Sequence, residues 1–175
     1  SVLLDCLHQI SQDKSFSLRT MHVNHGLSSD AKKFEKHCAT ITDKLKISHE
    51  TVMIKIGSSS NVEEQCRLKR YEVLVESCKD DEVIITGHHE EDQVETFLLR
   101  LIRGSGARGL SSMKMLSWYN KKMIFRPFLK VPKSKIDEYC LDNKISFVQD
   151  LSNKDILFDR NFIRNKVIPL LKTRW

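Results

Sequence analysis

Short apolar runs alternate with amphipathic segments along most of this chain. The runs that favour strands are residues 17–23, 51–56, 83–86, 124–128 and 145–148. The segments that favour helices are residues 2–10, 30–45, 61–78, 92–103, 133–141 and 159–171. This alternation predicts an α/β fold, in which a doubly wound, mainly parallel sheet has helices on both faces. We also expect a small helical part at the C-terminal end.

The net charge of the chain indicates which kind of partner it binds, and its cysteines indicate whether it forms disulfides or a zinc site. A net charge of +6 favours an anionic partner, nucleic acid or nucleotide, although a basic surface without a particular partner would carry the same charge. The five cysteines include no CxxC pair, which favours reduced thiols over disulfides or zinc. No apolar run approaches the roughly 18 residues of a membrane span, and no signal peptide is evident. We therefore expect a cytoplasmic protein without a membrane partner.

Residues 86–113, TGHHEEDQVETFLLRLIRGSGARGLSSM, combine an amphipathic helix with a glycine-rich basic loop. Apolar residues at helical spacing predict one buried stripe, formed by Val94, Phe97, Leu98, Leu101 and Ile102. At about 100° per residue the opposite side carries Asp92, Glu95, Thr96 and Arg103. The helix is therefore predicted to bury its apolar stripe and to present its charged face to solvent or ligand.

Asp92 and Glu95 follow the end of a predicted strand and lie beside His88 and His89. Ligands of open α/β sheets bind at the carboxyl ends of the strands, so we interpret these two acids as functional. Carboxylates there could hold Mg²⁺ against phosphate groups. The alternative is a solvated face whose acids complement the helix dipole, and for Glu90 and Glu91 both interpretations stay open.

The loop RGSGARG, residues 103–109, has two interpretations. Its glycines and flanking arginines could cradle a phosphate. Equally, Gly104 could end the helix as a C-terminal cap. The loop matches neither GxGxxG nor a Walker A motif, so by itself it is weak evidence for a nucleotide site.

Residues 22–28, HVNHGLS, follow the first predicted strand. His22 and His25 are poor candidates for zinc, because no cysteine lies near them and their spacing in a loop is unsuitable. We favour the interpretation that the backbone of residues 22–28 forms a binding surface for a planar base. Arg67, with Lys69 and Arg70, forms either a functional basic cluster or an ordinary exposed helix face.

Arg160 and Arg164 are four residues apart on the last predicted helix and project from one side of it. Two guanidinium groups so placed suit a pyrophosphate or an RNA backbone. The alternative is that they pair with nearby acids of the same segment, Asp150, Asp155 or Asp159.

Taken together, five segments resemble the PP-loop ATP pyrophosphatase superfamily, and within it the branch that attaches lysine to isoleucine tRNA. They are HVNHGLS (22–28), NVEEQCRLKRY (61–71), GHHEEDQVETFLLRLIRGSGARGLSSM (87–113), RPFL with its following proline (126–132) and DLSNKDILFDRNFIRNKVIPLL (150–171). The resemblance implies that ATP with Mg²⁺ adenylates the C2 oxygen of the wobble cytidine in a CAU-anticodon isoleucine tRNA. Free L-lysine then displaces AMP, and a homodimer is compatible with this activity.

The resemblance also implies roles for individual residues. Asp92 would lie near the reaction centre as a catalytic residue that contacts Mg²⁺ or the lysine amine, with His88 against the activated base or phosphate. Phosphate charge would be stabilised by Arg67, Arg160 and Arg164. The nucleotide would be bound by Ser1, His22, Val23, Asn24, His25 and Gly87. The substrate and tRNA would be contacted by Glu95, Arg103, Gly104, Gly106 and Asn161.

The resemblance divides the chain into an ATP-binding catalytic domain, residues 1–130, and a C-terminal extension of it, residues 131–175. The superfamily's Ser-Gly-Gly-x-Asp-Ser loop is absent from the sequence, and residues 1–4 match the positions at or just after its end. Either that loop and its strand precede these residues, or this stretch of chain does not bind pyrophosphate properly. We expect the tRNA-binding C-terminal domains to lie outside these residues. Two other classes stay open: another PP-loop enzyme that modifies tRNA or amidates a small molecule, and a non-enzymatic nucleotide-binding module.

Overall fold

The structure is a computed structural model, which describes residues 1–27, 30–57 and 62–175. The chain forms two compact units. The first comprises Ser1–Ile84 and Glu138–Gln149, and the second comprises Ile85–Asp137 and Asp150–Trp175. None of the helices in the described ranges is long and apolar enough to cross a bilayer.

The first unit is built on a parallel β–α–β arrangement. Its elements are α1 (Val2–Asp13), β1 (Arg19–Asn24), α2 (Ala31–Leu45), β2 (Ser48–Met53) and α3 (Val62–Ser77). Strands β1 and β2 pair in parallel from Arg19 opposite Ser48 to Asn24 opposite Met53, and α2 packs against both. Helix α2 ends where Lys46 adopts a left-handed conformation, with φ of 55°, which turns the chain directly into β2.

The second unit contains a three-stranded sheet in the order β3-β5-β4. Strand β3 (Ile84–Ile85) begins at the unit boundary and leads to α4 (Glu90–Ile102) and α5 (Ala107–Leu110). Strands β4 (Leu116–Tyr119) and β5 (Lys122–Phe125) form an antiparallel hairpin. Its two-residue turn has positive φ at both positions, 44° at Asn120 and 66° at Lys121, as a tight hairpin turn requires.

The C-terminal part of the chain is helical, as expected. Helix α6 (Lys133–Asp142) is followed by a 3₁₀ turn (Leu151–Lys154), then by α7 (Asp159–Phe162) and α8 (Ile168–Lys172), which a π-helical turn (Ile163–Val167) connects. Buried Ile163 and Ile168 face the interior of the second unit. The π turn is the one irregularity in the helix that the sequence predicts over residues 159–171.

The α/β class is confirmed, but four local features differ from the prediction. The strand predicted at 145–148 is absent, because Lys144 has φ of 51° and the Ile145 N–H donates to the Cys140 carbonyl, so this segment caps α6. Strand β4 is missing from the prediction, and β5 lies two to three residues earlier than predicted. Strand β2 likewise begins and ends three residues earlier. The predicted helix start at Asn61 and the end of the 22–28 loop at Ser28 lie outside the described residues.

Candidate active site on helix α4

Asp92 shapes the first turn of α4. The helix begins after His89, which has extended backbone angles, and Oδ2 of Asp92 accepts a hydrogen bond of 2.9 Å from the His89 N–H. An acid in the first turn is favoured by the helix dipole, and this one also satisfies a free backbone donor. Its other oxygen, Oδ1, lies 3.1 Å from Nη2 of Arg160 and 3.5 Å from Nη2 of Arg164.

Glu95, one turn further along α4, is fully buried and joins the same cluster. Nε of Arg160 donates to its Oε2 at 2.7 Å. Arg164 is bidentate, with Nε 2.5 Å from Oε1 and Nη2 2.9 Å from Oε2. We call Asp92, Glu95, Arg160 and Arg164 the charge cluster; its formal charges cancel, and both arginines stay partly exposed, at 25% and 34%.

The charge cluster reverses the predicted orientation of α4. Asp92 and Glu95 are 9% and 0% exposed. Four of the five residues predicted to form the buried stripe are instead exposed, with Val94 and Phe97 at 40%, Leu101 at 50% and Ile102 at 70%, and Leu98 is half-buried. The prediction of a buried apolar stripe is therefore wrong, because Arg160 and Arg164 pack over the acidic side of the helix and cover it.

Arginines 160 and 164 are paired, as the alternative interpretation proposed, but with different acids. Their partners are Asp92 and Glu95, which lie more than sixty residues away in the sequence. Of the acids considered, Asp159 lies 3.5 Å from Arg103 instead. The predicted site residues Asp92, Glu95, Arg160 and Arg164 are thus brought together in space, although the arginine charge is already balanced.

The histidines before α4 are held by neighbouring polar groups. The Thr86 hydroxyl lies 2.8 Å from Nδ1 of His88, across the Gly87 position. Nδ1 of His89 lies 3.1 Å from Oε2 of Glu91. The same Glu91 oxygen accepts a 2.9 Å hydrogen bond from the Lys133 N–H at the start of α6. Glu91 therefore connects the start of α4 to the start of α6, which favours a structural role for this residue.

A cleft of about 750 Å³ opens beside the charge cluster. Its walls come from α4, the start of α6 and the C-terminal helices, namely His89, Glu91, Glu95, Lys133, Asn153, Arg164, Ile168, Pro169, Lys172 and Thr173. Both signs of charge line it, so it suits a small polar molecule with ammonium and carboxylate groups. Lys133, Asn153 and Lys172 were not predicted as site residues, and no local signal in the sequence distinguishes them.

The loop after α4 has the geometry of a helix cap. Gly104 has φ of 71°, its N–H donates to the Leu101 carbonyl, and the Ser105 N–H donates to the Arg100 carbonyl. These are the two hydrogen bonds of a Schellman motif, as the capping interpretation predicts. Gly106 is the N-terminal cap of α5, and its carbonyl accepts a hydrogen bond from the Gly109 N–H.

Asn161 is buried and supports the C-terminal segment. Its Nδ2 donates to the carbonyls of Ser152 at 2.8 Å and Asp155 at 2.9 Å. These hydrogen bonds hold the 3₁₀ turn against α7. The geometry therefore gives Asn161, which follows Arg160 of the charge cluster in the chain, a structural role.

The residues predicted to bind the nucleotide lie mostly in the first unit. Asn24 is buried at the end of β1; its Nδ2 donates to Glu35 at 2.7 Å and its Oδ1 accepts from the Gly26 N–H at 2.8 Å. Val23 precedes it on the strand. The hydroxyl of Ser1 lies 3.3 Å from Nε2 of His37. Asn24 therefore fixes the loop that follows the strand.

The pKa of His22 and the pKa of His25 both lie below the ordinary histidine value. Burial lowers the pKa of His22, although Glu35 partly opposes this. Burial, assisted by the charge of Arg70, lowers the pKa of His25. Nδ1 of His25 is buried without a hydrogen-bond partner among the described residues. A neutral imidazole with a free nitrogen fits the hydrogen-bonding edge of a base.

Arg67 lies on α3 and pairs with Glu64 of the same helix, with Nη2 2.6 Å from Oε1. Its side chain is 47% exposed. Nearby, the Lys69 ammonium donates to the Lys55 carbonyl at 2.7 Å. The predicted basic cluster thus makes local contacts along its own unit.

Comparison with known proteins places this fold in a family. The model of the PP-loop domain matches residues 1–171. The chain belongs to the PP-loop family. The resemblance drawn from the sequence motifs is confirmed, and PP-loop domains are ATP-binding domains.

Several curated relatives of this PP-loop chain carry the same name. A tRNA(Ile)-lysidine synthase of Buchnera aphidicola subsp. Schizaphis graminum is 42% identical over 176 residues, which cover 100% of this chain and 40% of the relative. A protein of the same name from Coxiella burnetii is 35% identical, with coverage of 99% and 39%. The chain therefore spans about two fifths of the length of these relatives.

A solved structure supports the fold. The U34-tRNA thiolase NcsA from Methanococcus maripaludis, solved with its [4Fe-4S] cluster, matches with a TM-score of 0.68 at 14% identity. The match covers 99% of this chain and 69% of that protein. At this identity the likeness shows a shared PP-loop fold.

Proposed function

We propose that this chain is the catalytic part of an enzyme that forms lysidine in isoleucine tRNA. The observation that carries the proposal is that relatives named tRNA(Ile)-lysidine synthase match it along its full length, at 35–42% identity. The charge cluster and its cleft supply a chemically suitable place for the reaction.

The proposed reaction has two steps. The C2 carbonyl oxygen of the wobble cytidine attacks the α-phosphorus of ATP, and pyrophosphate leaves. The amine of lysine then attacks C2, the C2–O bond breaks, AMP leaves, and the nitrogen loses a proton. Adenylation is needed because a carbonyl oxygen leaves readily only once it carries phosphate.

The acids of the charge cluster fit a cationic group. Oδ2 of Asp92 accepts a hydrogen bond from the His89 N–H, and Oδ1 accepts one from Arg160. A cation could therefore bind Asp92 only through an oxygen that it shares with one of these donors. No group of three or more metal-ligating side chains exists among the described residues. A Mg²⁺ ion would thus be held by Asp92 together with ATP oxygens and water, and would neutralise phosphate charge when bound. The lysine ammonium group is the other cation that fits Asp92 and Glu95.

The arginines of the charge cluster fit the developing phosphate charge. Arg160 and Arg164 are both held by Glu95, and their side chains stay partly exposed. An arginine anchored in this way can face a phosphate without the cost of ordering a free side chain. His88 and Gly87, at the start of α4, and His22–His25 with Arg67, in the first unit, remain the proposed contacts of base and phosphates.

The test uses the full-length protein with ATP, Mg²⁺, labelled lysine and isoleucine tRNA with a CAU anticodon. We expect stoichiometric release of AMP and pyrophosphate and label in the tRNA. A tRNA with uridine at the wobble position is the matched control and should stay unlabelled. Failure to label the CAU tRNA would overturn the proposal, and ATP cleavage with another acceptor would indicate a different PP-loop enzyme.

A further inference from the structure

The positive charge of the chain is concentrated in one segment. Residues 96–136 contain ten lysines and arginines and no aspartate or glutamate. The net charge of the whole chain is +6, so the other 134 residues carry a net charge of −4. The β4–β5 hairpin lies in the middle of this acid-free segment.

The hairpin presents an exposed aromatic ring on a regular frame. Strand β4 is an edge strand, and Trp118 is opposite Met123 in its register with β5. Side chains alternate between the two faces of a strand, so Leu116 and Trp118 lie on one face with Met123 and Phe125. Trp118 is 70% exposed and Leu116 is 56% exposed, whereas Ile124, on the other face, is buried.

Buried Arg126 fixes the position of this face. Its Nη1 donates to the Lys114 carbonyl at 3.0 Å and to the Ser117 hydroxyl at 2.8 Å. Its backbone N–H donates to the Met115 carbonyl at 2.8 Å. These bonds lock the start of β4 on both sides, so Trp118 is presented by a preorganised strand.

Two exposed lysines lie near Trp118 in the chain. Lys121 is in the two-residue turn, separated from the Trp118–Met123 pair by the Tyr119–Lys122 pair, and Lys114 precedes β4. An exposed aromatic ring in such a cationic segment matches a single-stranded nucleic acid, whose bases stack on aromatic faces while its phosphates pair with lysine. A protein partner with an apolar surface would not need the acid-free surroundings.

We propose that the β4–β5 hairpin is an RNA-docking surface, on which Trp118 stacks against an unpaired base and Lys114 and Lys121 pair with phosphates. The inference rests on the proposed function, since the RNA would be the tRNA substrate. The hairpin contributes to binding of the RNA and takes no part in the chemical steps.

The binding test uses the full-length protein and a labelled RNA stem-loop with a CAU anticodon. Trp118→Ala should weaken binding about tenfold, and Trp118→Phe should retain most of the affinity, since stacking on a base needs an aromatic face. Phe147→Ala is the matched control, because Phe147 is an aromatic residue 65% exposed in the first unit. Removing Lys121 should lower the dependence of log affinity on log salt by about 0.7, as for one phosphate contact on a single strand.

Three results would overturn the inference. The first is wild-type affinity of Trp118→Ala for the stem-loop, and the second is failure of the wild-type protein to bind that RNA at low salt. The third is a Trp118→Ala protein with unchanged RNA affinity but an altered oligomeric state in light scattering, which would make the face a contact between copies.

Kinetics separate this inference from the proposed function. With lysine incorporation as the readout, Trp118→Ala should raise the KM for tRNA about tenfold and leave kcat and the KM for ATP unchanged. If the wild-type protein forms lysidine and Trp118→Ala has the same KM for tRNA, the docking surface would be overturned and the proposed function would stand. If RNA binding depends on Trp118 but the wild-type protein incorporates no lysine, the docking surface would stand and the proposed function would be overturned.

Discussion

Arg164 donates two hydrogen bonds to the Glu95 carboxylate, from Nε to Oε1 at 2.5 Å and from Nη2 to Oε2 at 2.9 Å. The carboxylate is fully buried, and Arg160 donates to it as well. A buried carboxylate is stable only when its charge and its lone pairs are satisfied, and here two guanidinium groups do both. The pair thus joins α4 to the C-terminal helices and keeps the arginines in place.

Glu95→Gln should destabilise the chain by about 3 kcal/mol, because it leaves two arginines without the buried charge that compensates them. Urea unfolding followed by circular dichroism measures this loss. Glu90→Gln, at an exposed position on the same helix, is the control and should change stability by less than about 0.5 kcal/mol. Equal stability of the two variants would show that the charge cluster does not support the fold.

Asp92→Asn should strongly slow AMP formation while the fold stays intact. The asparagine oxygen can still accept the hydrogen bond from the His89 N–H, so the helix start is preserved. Loss of the negative charge removes the group that we assign to the lysine ammonium or Mg²⁺, and we expect at least a roughly hundredfold drop in rate. A wild-type rate of AMP release from the variant, with unchanged thermal stability, would refute the role of Asp92.

Gly104→Ala separates the two interpretations of the glycine-rich loop. Because φ is 71° at this position, a side chain should cost about 1 kcal/mol of stability even though no atom lies within 4 Å of the added Cβ. If the loop acts as a cap, the variant should retain its KM for ATP. Gly57→Ala, also with open space around its Cβ, is the control for thermal melting. A raised KM for ATP with unaltered stability would favour the phosphate cradle.

The stability of the chain should fall as the pH drops below the ordinary histidine pKa of 6.5, because the pKa of His25 is lower in the folded state. The unfolded chain then binds more protons than the folded one, and protonation draws the equilibrium toward unfolding. His25→Gln should reduce this slope between about pH 7 and about pH 5, as measured by urea unfolding. An unchanged slope would show that His25 stays accessible to protons in the folded chain.

The local features of α4 follow from the sequence. Acids in the first turn and Gly104 after the last turn predict where the helix starts and stops, and the structure has α4 at Glu90–Ile102. Spacing of three residues places Asp92 and Glu95 on one side whatever surrounds the helix. The motif set likewise sufficed to assign the PP-loop family, since residue identities in order are a property of the chain itself.

Other features depend on contacts between distant residues. Periodicity shows that α4 has two unlike faces, but the choice of the buried one depends on which element packs there. Arg160 and Arg164, more than sixty residues away, cover the acids, and Val94, Phe97 and Ile102 face outward. Strand β4 and its turn are missing from the prediction for a local reason, because the Asn120–Lys121 turn lacks the usual glycine.

The sequence by itself thus determined the α/β class, the limits of its main helices, the spacing of the acids and arginines and the family. Only the tertiary structure decided that Asp92, Glu95, Arg160 and Arg164 form one neutralised cluster, and that Trp118 stands exposed on a strand held by Arg126. The physical reason is range: helix caps and periodicity act within a few residues, whereas burial and ion pairing depend on which distant side chains fold into contact.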